Sequence, residues 1–101
     1  MKNENQKELI SMLNECVAEC KSCADFCKDM PHMQECVKLC NDCIAQCQQI
    51  STQSNVSNEL YQKCVDACNA CADECANHDN SHCKKCAEVC RKCAEACHQT
   101  V

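Results

Sequence analysis

The stretch from Cys16 to Cys27 reads CVAECKSCADFC, and its four cysteines are separated by steps of 4, 3 and 4 residues. The same spacing recurs at residues 36–47, 64–75 and 86–97. Steps of three and four residues place side chains on one face of an α-helix. The repeat therefore predicts four helices, each with a line of thiols where a helix ordinarily buries leucine. The repeated cysteines are Cys16, Cys20, Cys23, Cys27, Cys36, Cys40, Cys43, Cys47, Cys64, Cys68, Cys71, Cys75, Cys86, Cys90, Cys93 and Cys97, and a seventeenth is Cys83.

The composition suits one small helical domain. The chain has 101 residues, no Gly and a single Pro, which favours long helices and argues against a strand-rich fold. Because the connecting segments are short, consecutive helices should be antiparallel neighbours. We expect an all-α, up-down-up-down four-helix bundle with a cysteine-lined core over residues 1–101, with helices at about 5–28, 31–50, 57–77 and 81–99. Capping residues are expected at Asn5, at Ser57 and at either Asp79 or Ser81.

A second apolar stripe lies beside the thiols. The residue after the first and third cysteine of each repeat is apolar in all four copies. With cysteines at heptad positions a and d, these residues occupy position e, and an a, d and e stripe is wide enough for a four-helix bundle. The e residues are Val17, Ala24, Val37, Ile44, Val65, Ala72, Ala87 and Ala94.

Charge and hydropathy limit the classes of partner that the protein can bind and the cellular compartment in which we expect it. The net charge is -5 and no basic stripe is visible, which argues against nucleic-acid binding. The polar start of the chain is followed by no apolar run of the length that a signal peptide or a membrane span needs. We therefore expect a cytosolic protein, away from membranes, whose thiols stay reduced.

Disulfides are a poor explanation for so many cysteines. Cβ atoms three or four residues apart on a helix are separated by roughly 5–6 Å, whereas a disulfide needs about 3.8 Å. Bridges within a helix are thus disfavoured, and an odd count of 17 leaves at least one thiol over. Leu, Ile, Val and Phe together number only 14, so the fold must be held partly by something else. With disulfides disfavoured, metal and association with other chains remain as sources of stability.

The two ends of the predicted bundle differ. At the end with the two short turns, which we call the mouth, the thiol faces continue into further soft or imidazole ligands. At the opposite end they continue into apolar residues, which we call the plug. The mouth residues are Met30, Met33, His32, His78, His82 and Cys83. The plug residues are Leu9, Leu13, Ile50 and Leu60, with Met12, Tyr61 and Val101 nearby.

Thiolates select Cu(I), Zn(II) or iron–sulfur clusters. Iron–sulfur clusters fit poorly, because their cysteines typically come from irregular loops. Two cysteine pairs on facing helices can supply the tetrahedral site that zinc needs. Cu(I) accepts two or three thiolates, and on the order of one monovalent ion per thiolate would neutralise a core in which isolated charge is costly. Charge therefore favours copper, and the spacing leaves zinc open.

Four copies of the C-x3-C-x2-C-x3-C repeat resemble those of the bacterial copper storage proteins, and the resemblance runs from Cys16 to Cys97. It implies a four-helix bundle filled with many Cu(I) ions, assembled into a homotetramer and loaded through a mouth that bears His or Met. The chain shows no targeting signal, and in this it resembles the cytosolic branch of the family. The sixteen repeat thiols match the ligands of the family, and Cys83, His32, His78, His82, Met30 and Met33 match its mouth in character.

The sequence thus predicts a cytosolic protein that stores or sequesters many Cu(I) ions. A zinc or heavy-metal buffer and a reversible redox thiol reservoir remain as alternatives. We expect no enzymatic activity, because the periodic line of cysteines lacks a single oriented partner that would activate a nucleophile.

Overall fold

The computed structural model describes residues 2–53 and 55–100, with side chains from residue 7 onward. Its helices are α1 (Lys2–Cys27), α2 (Gln34–Ser51), α3 (Asn58–Ala76) and α4 (Ser81–Thr100), and a short 3₁₀ helix covers Pro31–Met33. Each helix packs against the next in sequence, and α4 closes the ring against α1. The resulting rod measures 44 × 20 × 18 Å. The expected antiparallel four-helix bundle is confirmed, and the described part of the chain contains no strand.

The first two helices begin at residues that differ from the prediction. α1 starts at Lys2, so Asn5 lies inside the helix and its expected capping role is wrong. The early Lys, Glu and Gln residues are good helix formers, and no Gly or Pro interrupts them. α2 begins at Gln34 and not at residue 31. Pro31 holds the preceding residue, Met30, in an extended conformation, and the chain makes one 3₁₀ turn before the α-helix starts.

The caps of the last two helices show one prediction confirmed and one corrected. Ser57 caps α3, since its side chain accepts a hydrogen bond from the Leu60 N–H at 3.2 Å. The cap of α4 is neither Asp79 nor Ser81. It is Asn80, whose Oδ1 accepts a hydrogen bond from the Cys83 N–H at 2.8 Å.

Among the described residues the core contains 27 buried side chains, of which 17 are cysteines, and no buried polar or charged residue. Five of the eight e residues are buried with them, and Val17, Val37 and Ile44 are half-buried. A thiol core of this kind is lined by the apolar stripe that the heptad pattern predicts.

The plug closes one end of this core. Leu13 is completely buried, and Leu9 and Ile50 are buried beside it. Leu60 and Tyr61 are half-buried there, while Val101 lies outside the described residues. None of the described helices combines the length and the apolar character that crossing a membrane requires.

Candidate metal centre

All seventeen cysteines are free thiols, and all are completely buried. The helical repeat produces this burial, because residues at steps of 4, 3 and 4 stay on the face of each helix that is turned toward the bundle axis. The expected inward thiol lines are thus present on all four helices. Cysteine is the most frequent residue of the core, and every sulfur atom is kept from bulk water.

The sulfur atoms touch one another across the helices. Contacts range from 3.4 Å between Cys43 and Cys68 to 4.0 Å between Cys23 and Cys75. They join the thiols into two groups. The mouth-side group is Cys23, Cys27, Cys36, Cys40, Cys71, Cys75 and Cys83. The plug-side group is Cys16, Cys20, Cys43, Cys47, Cys64, Cys68, Cys86, Cys90, Cys93 and Cys97.

Sets of four sulfur atoms connect the two groups into one line. In each set all the sulfur atoms lie within 4.8 Å of one another. One set bridges the groups through Cys23, Cys40, Cys75 and Cys86, and another does so through Cys20, Cys71, Cys86 and Cys90. A metal ion that enters at one end therefore meets a further ligand set at each step along the axis.

The sulfur spacing suits several coordination numbers. With metal–sulfur bonds of about 2.3 Å, two sulfur atoms on one ion are about 3.8 Å apart in a tetrahedral site and about 4.6 Å apart in a linear one. The observed separations cover that range. The core can hold two-, three- and four-coordinate ions with small side-chain rotations.

Burial works against ionisation of these thiols in the metal-free protein. Burial, aided by a hydrogen bond to Cys83 and the charge of Cys23, raises the pKa of Cys27 to about 12. Burial likewise raises the pKa of Cys36. A thiolate in this environment lacks water to solvate it. Metal binding must therefore displace protons, and a bound cation takes over the role of the proton.

Some of the predicted mouth residues are buried or half-buried beside the thiols, and others are exposed. Met33 is buried and Met30 is half-buried against the core. His78 is half-buried, and its Nε2 lies 2.7 Å from Glu74 Oε2. The structure thus brings Cys83, both methionines and His78 to the end of the thiol line.

The other two mouth histidines are exposed. His82 stacks on Phe26 with ring centroids 4.3 Å apart, on the outside of the α1–α4 contact. His32 is exposed within the 3₁₀ turn. Their placement keeps these imidazoles near the mouth without burying them among the sulfur atoms.

Two polar residues at the mouth were missed by the sequence reasoning. Glu74 accompanies His78, and a spacing of four residues on one helix was a signal that could have revealed it. Asn80 contacts Cys83 with both its backbone-capping oxygen and its amide nitrogen. The signal that could have revealed this contact was an asparagine, a favoured capping residue, three positions before a cysteine.

The family model described as "Copper storage protein" (Csp) matches residues 2–101. The chain belongs to the copper storage protein family. The resemblance seen in the four repeats is thereby confirmed. Among curated proteins, no sequence matches the chain significantly.

Solved structures of the copper storage family share this fold. The Cu(I)-bound copper storage protein BsCsp3 is 30% identical, with a TM-score of 0.86 over 94% of this chain and 96% of that one. Apo copper storage protein 3 from Bacillus subtilis is 32% identical, with a TM-score of 0.84 over 92% and 95%. A cytosolic copper storage protein from Streptomyces lividans with five coppers is 31% identical, with a TM-score of 0.85 over 95% and 91%.

Proposed function

We propose that this protein stores many Cu(I) ions on the thiolates of its core. The observation that carries the proposal is the continuous line of seventeen buried, unbridged thiols whose sulfur atoms lie within contact distance of one another. The proposed ligands are those seventeen cysteines. Met30, Met33, His32, His78 and His82 are proposed as residues that receive the ion at the mouth.

The charge of the core favours copper over zinc. No Lys, Arg or His is buried among the described residues, so no side-chain cation can balance excess thiolate charge. One monovalent ion per thiolate gives a neutral core, whereas a divalent ion with four thiolates leaves two negative charges. Uncompensated charge in a dry interior is strongly unfavourable. The structure of the Cu(I)-bound relative is in line with this choice.

Uptake is proposed to proceed from the mouth toward the plug. The mouth holds exposed and half-buried ligand types, while the plug presents Leu9, Leu13 and Ile50 in a buried apolar layer. Met30, Met33 and His78 supply soft or imidazole ligands next to the thiols at the first of these two ends. Successive four-sulfur sets then offer a path along the axis.

The biological setting is proposed to be a reducing compartment, the cytosol, since all seventeen thiols are unbridged and a cytosolic relative is known. The proposed role is non-enzymatic.

The four helices share one core, which supports a single domain over residues 1–101. The proposed assembly is a homotetramer, as the resemblance to the copper storage family implies.

Anaerobic titration of the fully reduced protein with Cu(I) tests the function. We expect uptake of on the order of one ion per thiolate, with loss of chelator-bound copper and the appearance of Cu(I)-thiolate luminescence. Saturation near one ion per four cysteines with Zn(II), together with weak Cu(I) uptake, would favour the zinc buffer. Reversible loss of free thiols on mild oxidation, without Cu(I) uptake, would favour the redox reservoir.

A further inference from the structure

Cys83 differs from the other sixteen thiols in its place and in its contacts. It lies outside the four repeats, in the first turn of α4, and its sulfur touches three other sulfur atoms. These belong to Cys23 at 3.6 Å, Cys27 at 3.8 Å and Cys36 at 3.9 Å. Cys83 thus ties α4 to α1 and α2 at the outermost four-sulfur set.

Asn80 holds this cysteine by two hydrogen bonds from one side chain. Asn80 Oδ1 accepts from the Cys83 N–H at 2.8 Å, and Asn80 Nδ2 donates to Cys83 Sγ at 3.3 Å. The backbone N–H decides which way the amide faces, because it needs an acceptor and can only be met by the oxygen. The amide nitrogen is consequently the atom that faces the sulfur.

Asparagine is a favoured N-cap residue whose amide carries the acceptor and the donor for these two bonds on separate atoms. Asp, Ser and Asn are comparably good caps. An ionised Asp only accepts hydrogen bonds, whereas Asn offers an acceptor and a donor on opposite arms of one planar group. Ser57, the cap of α3, has Leu60 and no thiol three residues later, and it makes only the capping bond.

We propose that Asn80 is a positioning residue for the outermost copper site, which orients the Cys83 sulfur toward Cys23, Cys27 and Cys36 and donates an N–H bond to it. The inference rests on the proposed storage of Cu(I) and adds a supporting residue to its first site. A donor to a metal-bound sulfur withdraws electron density from it and restricts its rotation. Supporting partners of this kind commonly change metal affinity by about 10–100-fold when they are replaced.

The test compares first-ion binding by the reduced full-length chain and by Asn80→Asp. This substitution keeps the capping oxygen, replaces the donor to sulfur with an oxygen that only accepts, and adds one negative charge. Cu(I) is supplied from a chromophoric Cu(I) chelator under anaerobic conditions, and the affinity for the first equivalent is measured by competition. We expect affinity for the first ion to fall by about tenfold, although the added negative charge alone would attract the cation.

Two controls isolate the Asn80–Cys83 contact. Ser81→Asp adds the same charge at the neighbouring exposed position and should not weaken first-ion binding. In a Cys83→Ser background, Asn80→Asp should no longer weaken first-ion binding, because the sulfur that receives the bond is gone. A merely structural effect of the cap would persist in that background.

The outcomes separate this inference from the function on which it rests. The role of Asn80 would be overturned, with storage intact, if Asn80→Asp bound the first ion as tightly as the unaltered chain. It would also be overturned if Asn80→Asp weakened first-ion binding by the same factor in the Cys83→Ser background. Failure of the unaltered chain to take up Cu(I) would overturn the storage function and the role of Asn80 with it.

Discussion

Each core cysteine in the metal-free protein occupies the place of an apolar residue. Free Cys packs as a small hydrophobic side chain with a weak S–H donor. Cys43 illustrates this: its sulfur lies 3.6 Å from Cys16 and 3.4 Å from Cys68, without exposure to water. The same atom can lose its proton and become a ligand. The residue therefore serves packing before loading and coordination afterwards.

Replacing Cys43 with Ser should separate these two roles. The buried hydroxyl has only thiols as partners, so we expect the metal-free protein to lose about 1–3 kcal/mol of unfolding free energy. Cu(I) capacity should fall by on the order of one ion. Urea unfolding and anaerobic titration measure the two effects. The control is Ala45→Ser on the exposed side of α2, which should change stability by no more than about 0.5 kcal/mol. Unchanged capacity in Cys43→Ser would contradict the assignment of Cys43 as a ligand.

Alkaline pH should destabilise the reduced, metal-free protein. The pKa of Cys27 is raised from an ordinary value of 9.0 to about 12. The folded state thus holds a proton that the unfolded chain releases, so the stabilisation is complete below pH 9 and is lost as the pH rises toward 12. Urea midpoints measured at pH 7, 9 and 11 should fall over the last interval. Cys27→Ala should reduce that fall. A urea midpoint that increased between pH 9 and pH 11 would refute the burial argument.

At the scale of the helix, the repeat places thiols on one face but does not form a complete site. Three of the i, i+4 pairs have sulfur contacts of 3.9 Å, at Cys64–Cys68, Cys71–Cys75 and Cys86–Cys90, all within α3 and α4. The four-sulfur sets instead combine helices. Coordination is therefore a property of the assembled bundle, and an isolated helix of this sequence would offer only pairs.

The turns at the mouth should control the rate of loading more than its extent. Substituting Ala for both His78 and His82 should slow Cu(I) uptake, because two imidazoles near the first sulfur atoms are lost, and should barely change capacity. Stopped-flow transfer from a coloured Cu(I) chelator gives the rate, and titration gives the capacity. His98→Ala, an exposed change near the far end of α4, is the matched control. A capacity lower by many ions in the double variant would contradict the placement of the mouth.

At the scale of the whole molecule, metal and fold are coupled. In the part of the chain whose side chains the structure describes, only ten of the 27 buried residues are not cysteine, so the apo bundle has a small conventional core. Ions bound between helices stabilise the folded state, since the unfolded chain does not present the same ligand sets.

Cu(I) loading should raise the melting temperature strongly. One site at a free-ion concentration of a hundred times Kd adds about 2.7 kcal/mol, and about 1 kcal/mol shifts Tm by roughly 4–8 °C in a domain of this size. We therefore expect a rise of more than about 10 °C at full loading, measured by circular dichroism under anaerobic conditions. Removing copper with a strong chelator should restore the apo value. Equal melting temperatures would argue against the core thiolates as the binding shell.

The local sequence was sufficient to predict the four helices, the inward cysteine face, the Ser57 cap and the likeness to copper storage proteins. These features depend on spacings of three and four residues, and such spacings have the same geometric meaning in every α-helix. The start of α1 and the cap of α4 were predicted incorrectly, because several neighbouring polar residues can begin a helix and tertiary contacts select among them.

Only the tertiary structure decided which sulfur atoms meet. Several contacts depend on how the helices rotate about their axes and on where the turns end. Examples are the contact of Cys16 with Cys90, the bond from Asn80 to Cys83, the pairing of His78 with Glu74 and the burial of Met33 beside an exposed His32. Helical periodicity specifies the direction of a side chain on its own helix. It does not specify the axial register between helices, and a shift of one residue along an axis moves a sulfur atom by about 1.5 Å, enough to change its partners.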